Sequence, residues 1–154
     1  MSSANFNFDI DKVPSASKLN FGIVVSEWNN NITSKLLQGS LDLLKIKNVK
    51  DNQIQVMNVP GSFELVYGCK TMQERNVDVV IAIGSIIRGE TSHFDFVYQS
   101  TSQGIKDLNL NGKCPVIFCV LTDDTIQQAI DRSGGKYGNK GTEAAIAAIK
   151  MALI

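Results

Sequence analysis

A chain of 154 residues is long enough to bury a hydrophobic core and most simply forms one domain. Its 15 basic residues balance 15 acidic ones, which argues against nucleic-acid binding, and no apolar run has the length of a membrane span. The three cysteines form no CxxC pair, so neither a disulfide framework nor a metal site is expected. The N-terminus lacks the apolar core of a signal peptide, which predicts a cytoplasmic protein.

From residue 20 onward, short apolar runs alternate with segments whose apolar residues recur at helical spacing. Compact runs rich in β-branched residues predict buried strands, and the helical spacing predicts amphipathic helices. In chain order the pattern predicts a strand over 21–26, a helix over 30–47 capped by asparagines, a strand over 53–59, a helix with Ser62 as its N-cap, a strand over 77–87, a helix opening at Thr91 or Ser92, a strand over 114–122, a short helix over 123–134 and an Ala-rich helix over 138–154.

This βαβαβαβαα order predicts an α/β fold in which a four-stranded parallel sheet is covered on both faces, a three-layer α/β/α sandwich. Residues 20–154 form that single domain. Residues 1–19 lie outside the pattern, but Phe6, Phe8 and Ile10 alternate as in a strand that has no partner inside the domain. We therefore expect an N-terminal arm followed by one domain.

Ligands of open parallel sheets bind beyond the carboxyl ends of the strands, where loops lead into helices. Four such loops are expected here, "SEWNN", "VPGSFE", "SIIRGETSH" and "LTDDT", and all are rich in groups that a polar small molecule can use. The sequence has no Walker A loop, no GxGxxG motif, no Ser–His–Asp signature and no context for a nucleophilic cysteine. The prediction is a site for small-molecule substrates that uses no cofactor.

The third loop carries the most specific chemistry. Gly89, Glu90, Thr91 and Ser92 stand at a predicted helix N-terminus, where free N–H groups and hydroxyls favour an anion. His93, the only histidine, follows as a candidate proton carrier. On the pattern alone, a capping turn with a structural histidine is the commoner explanation.

Three other side chains each allow two interpretations. Trp28 can stack on a planar heterocycle or fill a helix-packing seam. Arg132 can clamp a phosphate or simply end a helix before a glycine. For Glu64 taken alone, stabilisation of the helix dipole is the better explanation.

Several stretches in the expected order together resemble the lumazine synthase family: "VPGSFEL", "IAIGSIIRGETSHFDFV", "VIFCVLTDDTIQQAIDRSGGKYGNKGTEAAIAAIKMA" and the pair Trp28 and Asn29. The resemblance runs from Phe21 to Ala152. It implies a flavodoxin-like sandwich whose N-terminal strand joins the sheet of a neighbouring subunit. It also implies active sites between the subunits of a pentamer, and in some members the pentamers build an icosahedral shell.

The activity that this resemblance implies is the penultimate step of riboflavin biosynthesis. In that step 5-amino-6-(D-ribitylamino)uracil condenses with 3,4-dihydroxy-2-butanone 4-phosphate to give 6,7-dimethyl-8-ribityllumazine, phosphate and water. His93 matches a proton shuttle, and Arg132 matches the arginine that binds the phosphate. The matched substrate-binding positions are Trp28, which stacks on the pyrimidine, and Asn29 beside it; Ser62, Phe63 and Glu64 for the ribityl hydroxyls; Ser85, Ile86 and Ile87 for the pyrimidine edge; Gly89, Glu90 and Thr91 for the phosphate; and Phe118 and Lys140, which with Arg132 reach the site from the neighbouring subunit.

Three positions depart from the family pattern, all at the phosphate end. Cys119 lies where glycine is common, Asp123 replaces a frequent threonine, and Glu90 takes a position often held by a smaller residue. Two alternatives share the fold: an archaeal-type riboflavin synthase, which consumes the lumazine, and a non-catalytic flavin-binding or scaffold relative. The intact "GSFE", "RGETSH" and "GNKG" set favours lumazine synthesis over the first, and His93 with Arg132 argues against the second.

Overall fold

The computed structural model describes residues 9–154, in which a parallel sheet is packed between helices. The elements in chain order are β1 (Phe21–Ser26), α1 (Asn30–Ile46), β2 (Ile54–Val59), α2 (Leu65–Gln73), β3 (Val79–Ile87), α3 (His93–Asn111), β4 (Val116–Asp123), α4 (Ile126–Arg132), β5 (Ser133–Gly135), β6 (Gly138–Asn139) and α5 (Lys140–Ala152). Single turns of 3-10 helix lie at Ile10–Lys12 and Asp51–Gln53. The predicted βαβαβαβαα order and the four-stranded parallel sheet are confirmed.

The sheet has the strand order β2-β1-β3-β4, with all neighbouring pairs parallel. The central strands β1 and β3 are buried along their whole length except at Ile87, which is partly exposed. The edge strands β2 and β4 expose some of their side chains. Neither face of a central parallel strand meets water, which explains why "FGIVVS" and "VVIAIGSII" are continuous apolar runs.

Alternate residues of the central strands supply two separate cores. Phe21 and Ile23 belong to the core beneath α1, α4 and α5, whereas Val24 and Ala82 belong to the core beneath α2 and α3. Because the side-chain period of a strand is two, one apolar run can supply both layers. The result is the predicted three-layer α/β/α sandwich with a flavodoxin-like arrangement.

Helices α1 and α5 approach each other closely at Gly141. A Cβ atom at Gly141 would lie 1.8 Å from the carbonyl oxygen of Leu36. The hydroxyl of Ser40 donates to the carbonyl of Gly141 at 2.9 Å, across the same contact. The close approach therefore depends on a residue without a side chain at this position.

The N-terminal segment is described only from residue 9. Phe6 and Phe8 of the predicted alternating strand lie outside the described residues, and Ile10 begins a turn of 3-10 helix rather than a strand. Val13 and Ala16 are buried in the core beneath α1. Packing on the domain therefore begins before residue 20, while the pairing of the arm with a neighbouring subunit stays a prediction.

One predicted helix cap is wrong, and a second is confirmed in position but not in its hydrogen bond. The chain turns through residues 62–64 and α2 begins at Leu65, so Glu64 rather than Ser62 is its N-cap residue. The hydroxyl of Thr101 on α3 donates to the carbonyl of Ser62 at 3.2 Å, a tertiary contact that stabilises the turn. Asn29 occupies the N-cap position of α1, but its side chain makes no capping hydrogen bond.

A small antiparallel hairpin formed by β5 and β6 was not predicted. Gly134 and Gly138 adopt positive φ angles of 115° and 75° within it. The glycine-rich stretch "SGGKYGN" was the available signal, because only glycine adopts such angles without strain. The hairpin joins α4 to α5, so it sets the distance between the cations Arg132 and Lys140 at the ends of those helices.

Candidate active site

Loops follow all four strands at the carboxyl edge of the sheet, and hydrogen bonds join each loop or strand end to its neighbour. The N–H of Trp28 donates to a carbonyl of the loop after β2 at 3.1 Å. The side-chain amide of Asn29 donates to the carbonyl of Ser85 on β3 at 2.9 Å. The N–H of Arg88 donates to the carbonyl of Asp123 on β4 at 2.9 Å. These bonds follow the strand order and make the edge one connected surface.

The loops after β1, β2 and β3 enclose a groove of about 660 Å³, called here the first groove. The predicted site residues that line it are Trp28, Asn29, Ser62, Phe63, Glu64, Ser85, Ile86, Ile87, Gly89, Thr91 and His93. Gly61, Phe94 and Val97 also line it but were not predicted, since Phe94 and Val97 belong to the apolar stripe of α3. Glu90 is exposed and is not among the lining residues.

The wall of the first groove contains two exposed aromatic rings and a serine whose buried hydroxyl lacks a hydrogen-bond partner among the described residues. Trp28 is 73% exposed and Phe63 is 58% exposed, so both rings are available for stacking. The hydroxyl of Ser85 is buried and has no hydrogen-bond partner within residues 9–154. Buried polar groups are nearly always paired, so an unpaired hydroxyl in a residue of the groove wall is unusual.

Asn29 links the backbone of the first loop to the end of β3. Its backbone is left-handed, with φ 59° and ψ 43°, a conformation that asparagine tolerates better than most residues. The β1–β3 register ends at the pair Val25 and Ile83, so the carbonyl of Ser85 lies beyond it. The amide of Asn29 bonds this carbonyl instead of capping α1, and the bond fixes the loop that carries Trp28.

The N-terminus of α3 opens towards the same groove. Ser92 is its N-cap residue, and His93 is exposed in the first turn. Gly89 has no atom near its missing Cβ position, and the N–H groups of Gly89 and Thr91 donate no hydrogen bond within the described part of the chain. Free N–H groups at the positive end of a 19-residue helix favour an anion beside the imidazole.

Arg88 anchors this loop and does not line the groove. Its Nε donates to Asp124 at 2.7 Å, its Nη1 lies 3.5 Å from Asp95, and its guanidinium stacks on the ring of Phe94 at 4.2 Å. The hydrogen bond to Asp124 is the main cause that raises the pKa of Arg88 above its ordinary value. The closeness of Arg88 to His93 in the sequence is therefore explained by the role of Arg88 as an anchor for the loop.

A second groove, of about 570 Å³, lies along β4 between α4 and α5. It is lined by Phe118, Arg132 and Lys140, the three residues that the resemblance places at the site of a neighbouring subunit. Among residues 9–154, none lines both grooves. Within one chain the structure therefore does not bring these three side chains to His93.

Both cations of the second groove have an acidic partner in their own chain. Nη1 of Arg132 lies 3.6 Å from Oδ1 of Asp123, and Nζ of Lys140 lies 2.8 Å from a carboxylate oxygen of Glu143. Burial raises the pKa of Asp123, and the positive charge of Arg132 partly opposes that shift. The sequence marked Asp123 only as a departure from the family pattern, and its pairing with Arg132 was missed.

Three free cysteines lie among the described residues, and two of them are buried. Residues 9–154 hold no group of three or more His, Cys, Asp or Glu side chains placed to bind a metal ion. Burial raises the pKa values of Cys69 and Cys119 to about 12, so neither supplies a thiolate near neutral pH. Across the same residues, no helix combines the length and the apolar character needed to span a membrane.

Comparison with known proteins gives one consistent family. The family model for 6,7-dimethyl-8-ribityllumazine synthase matches residues 18–154. The 6,7-dimethyl-8-ribityllumazine synthase of Flavobacterium johnsoniae is 60% identical over 148 residues, which cover 96% of this chain and 78% of the relative. The synthase of Christiangramia forsetii is 57% identical over 94% of this chain and 88% of its own length. The synthase of Cytophaga hutchinsonii is 47% identical over 98% of this chain and 97% of its own length.

Proposed function

The chain belongs to the 6,7-dimethyl-8-ribityllumazine synthase family, and we propose that its two grooves are complementary halves of the active site. It is a transferase of riboflavin biosynthesis that condenses 5-amino-6-(D-ribitylamino)uracil with 3,4-dihydroxy-2-butanone 4-phosphate. The products are 6,7-dimethyl-8-ribityllumazine, phosphate and water. The observation that carries the proposal is the division of the site: His93 and Trp28 line the first groove, and Arg132 lines the second.

A complete site requires the second groove of one chain to face the first groove of the next. Such a head-to-tail contact closes into a ring when the rotation between chains permits, and we infer a pentamer, with pentamers able to form an icosahedral shell. Phe118 is 42% exposed at the second groove, which suits a side chain that a neighbour covers. We infer that the N-terminal arm adds a strand to a neighbouring sheet through its first residues, since Val13 and Ala16 pack on their own domain, and that the assembly works in the cytoplasm.

The first groove binds the ribitylaminouracil. Trp28 stacks on the pyrimidine, and residues 85–87 line the edge of that ring. Asn29 holds the loop of Trp28 in place. Residues 62–64 contact the ribityl hydroxyls through backbone groups and the Glu64 carboxylate.

The phosphate of the ketone substrate lies at the N-terminus of α3. The backbone of residues 89–91 forms the cradle, and Arg132 and Lys140 of the neighbouring chain complete it. His93 carries the proton from the attacking amine towards the carbonyl oxygen as the imine forms, and then assists the loss of phosphate. The condensation is feasible in water, so holding the two substrates together supplies much of the rate.

The activity is tested by mixing the purified assembly with both substrates and following the fluorescence of the lumazine product. A reaction without enzyme is essential, because the uncatalysed condensation gives the same signal. We expect acceleration that scales with protein and falls in Arg132→Gln, with the ketone phosphate affected most. Arg75→Gln is the matched control, since Arg75 is an exposed arginine that bonds Gln55 on β2 and lines neither groove. An Arg132→Gln variant with unchanged kinetics would contradict the phosphate role.

Mixed assemblies test the division of the site between chains. His93→Ala removes a group of the first groove, and Arg132→Gln removes a group of the second. If each site takes one groove from each of two chains, assemblies formed together from equal amounts of the two variants, with chains assorting at random, contain about one quarter of fully intact sites. Activity of the mixture well above the mean of the separate variants is expected. A mixture no more active than that mean would show that both grooves of one chain serve the same site.

A further inference from the structure

Asp123 is a buried carboxylate whose charge is only partly neutralised by its surroundings. The residue is 6% exposed, and its Oδ1 lies 3.6 Å from Nη1 of Arg132. Its Oδ2 is buried and has no hydrogen-bond partner among residues 9–154. Burial disfavours the charged form of a carboxylate. Since one oxygen of Asp123 is unpaired within the described chain, the stability of its negative charge depends strongly on its single cationic neighbour.

We propose that Asp123 competes with phosphate for the guanidinium of Arg132 and so weakens the binding of the ketone phosphate and of the phosphate product. The inference rests on the proposed role of Arg132 as the phosphate ligand. Asp123 acts through Arg132 and contacts no substrate atom itself. Its effect is to keep an otherwise strong phosphate site weak enough to release its product.

The geometry favours competition over a role in holding Arg132 in place. Nη1 of Arg132 donates to the carbonyl of Gln128 at 3.0 Å, and the guanidinium lies over the ring of Tyr137 at 5.3 Å. These contacts position the side chain without Asp123. The separation of 3.6 Å between Asp123 and Arg132 is longer than a hydrogen bond, so this contact is an ion pair without a fixed direction.

The other charged side chains described near Asp123 do not neutralise its negative charge. Asp124 follows directly and adds negative charge, although its own carboxylate is bonded to Arg88. Lys140 lines the same groove, but its ammonium is bonded to both carboxylate oxygens of Glu143. A dianionic phosphate that arrives at Arg132 therefore meets a carboxylate that no other cation among residues 9–154 neutralises.

The test compares the inhibition constants of inorganic phosphate and sulfate, measured on the assembled enzyme with both substrates present. Sulfate is included because it keeps its two charges across the pH range of the assay. We expect Asp123→Asn to bind both anions roughly three- to tenfold more tightly, as removal of a negative charge beside Arg132 implies. The KM for the ketone phosphate should fall by a similar factor, and the KM for the ribitylaminouracil should stay unchanged.

Matched variants separate this effect from general changes in charge or packing. Asp131→Asn removes a carboxylate next to Arg132 in sequence that is bonded to Gln127 and does not line the groove, so its inhibition constants should equal those of the wild type. Asp123→Thr removes the same charge with a different side chain and should reproduce the tighter binding. Both outcomes together support the proposal, whereas unchanged or weaker anion binding in the two Asp123 variants overturns it.

A double-mutant cycle locates the effect on Arg132. In the Arg132→Gln background, adding Asp123→Asn should no longer change the inhibition by phosphate. If the gain persists there, the competition does not pass through Arg132 and the inference fails while the assigned activity stands. If Arg132→Gln alone leaves phosphate inhibition unchanged, the phosphate role of Arg132 fails, and the inference fails with it.

Discussion

Replacement of Asn29 should separate two contributions that this residue makes to the first groove. Its side-chain amide donates to the carbonyl of Ser85 at 2.9 Å, and its backbone adopts the left-handed conformation with φ 59°. Asn29→Gly removes the hydrogen bond but adopts positive φ freely. Asn29→Ala removes the same bond and keeps a Cβ atom in the left-handed conformation, without the polar side chain that lets asparagine tolerate that conformation.

The two variants should therefore rank in a defined order. Loss of the hydrogen bond costs about 1 kcal/mol in both. The strained conformation adds roughly 1 kcal/mol in the alanine variant, which brings its total loss to about 2 kcal/mol. The carbonyl of Ser85 lies beyond the last β1–β3 register pair, so β1 offers no replacement donor in that register.

Urea unfolding at a fixed protein concentration measures these differences, because assembly contributes to the apparent stability. Trp28 is the only tryptophan and lies next to Asn29, so its fluorescence also reports binding of the ribitylaminouracil. We expect weaker binding in both variants, since the loop of Trp28 loses its link to β3. An alanine variant as stable as the glycine variant would refute the role of the left-handed backbone. Wild-type stability in both would refute the contribution of the hydrogen bond.

Two further predictions concern the packing of the domain. Gly141→Ala should lower the unfolding temperature, with a cost of roughly 1–3 kcal/mol, because its Cβ would lie 1.8 Å from the carbonyl oxygen of Leu36 and helices α1 and α5 would have to separate. Alanine is intrinsically the better helix former. An unchanged or higher unfolding temperature would therefore contradict the steric argument. Burial raises the pKa values of Cys69 and Cys119 to about 12, so a thiol reagent at pH 8 should label these thiols only when the protein unfolds. The free energy of unfolding should also decline as the pH rises above 9, because the thiols ionise at lower pH in the unfolded chain than in the folded one. Rapid labelling of either thiol in the native protein would contradict the expected protection by burial.

The interiors of the elements were predictable, but their ends were less so. The strand predicted from residue 77 begins at Val79, and the strand predicted from residue 114 begins at Val116, after a proline that cannot donate to the sheet. The helix predicted from Ser62 begins at Leu65. Apolar periodicity describes a whole segment, whereas its first residue depends on contacts such as that of the Thr101 hydroxyl with the Ser62 carbonyl.

The candidate site likewise has features that the sequence predicted and features that only the structure revealed. The sequence named most of the residues that line the first groove, because they follow strands whose carboxyl ends share one edge. It also named Phe118, Arg132 and Lys140, but only the folded chain places them in a separate groove along β4. The pairing of Asp123 with Arg132 joins the end of a strand to the end of a helix, and such a contact leaves no periodic signal.

Local pattern specifies the strands, the helices, their order and the chemistry of the loops, because burial of a strand or a helix face leaves a period of two or of 3.6 residues in the sequence. The tertiary structure alone decides which loops become neighbours, since the order β2-β1-β3-β4 is a property of strands that are distant along the chain. It also decides that the amide of Asn29 bonds β3 rather than capping its own helix. Both outcomes depend on partners that become available only when the sheet has formed.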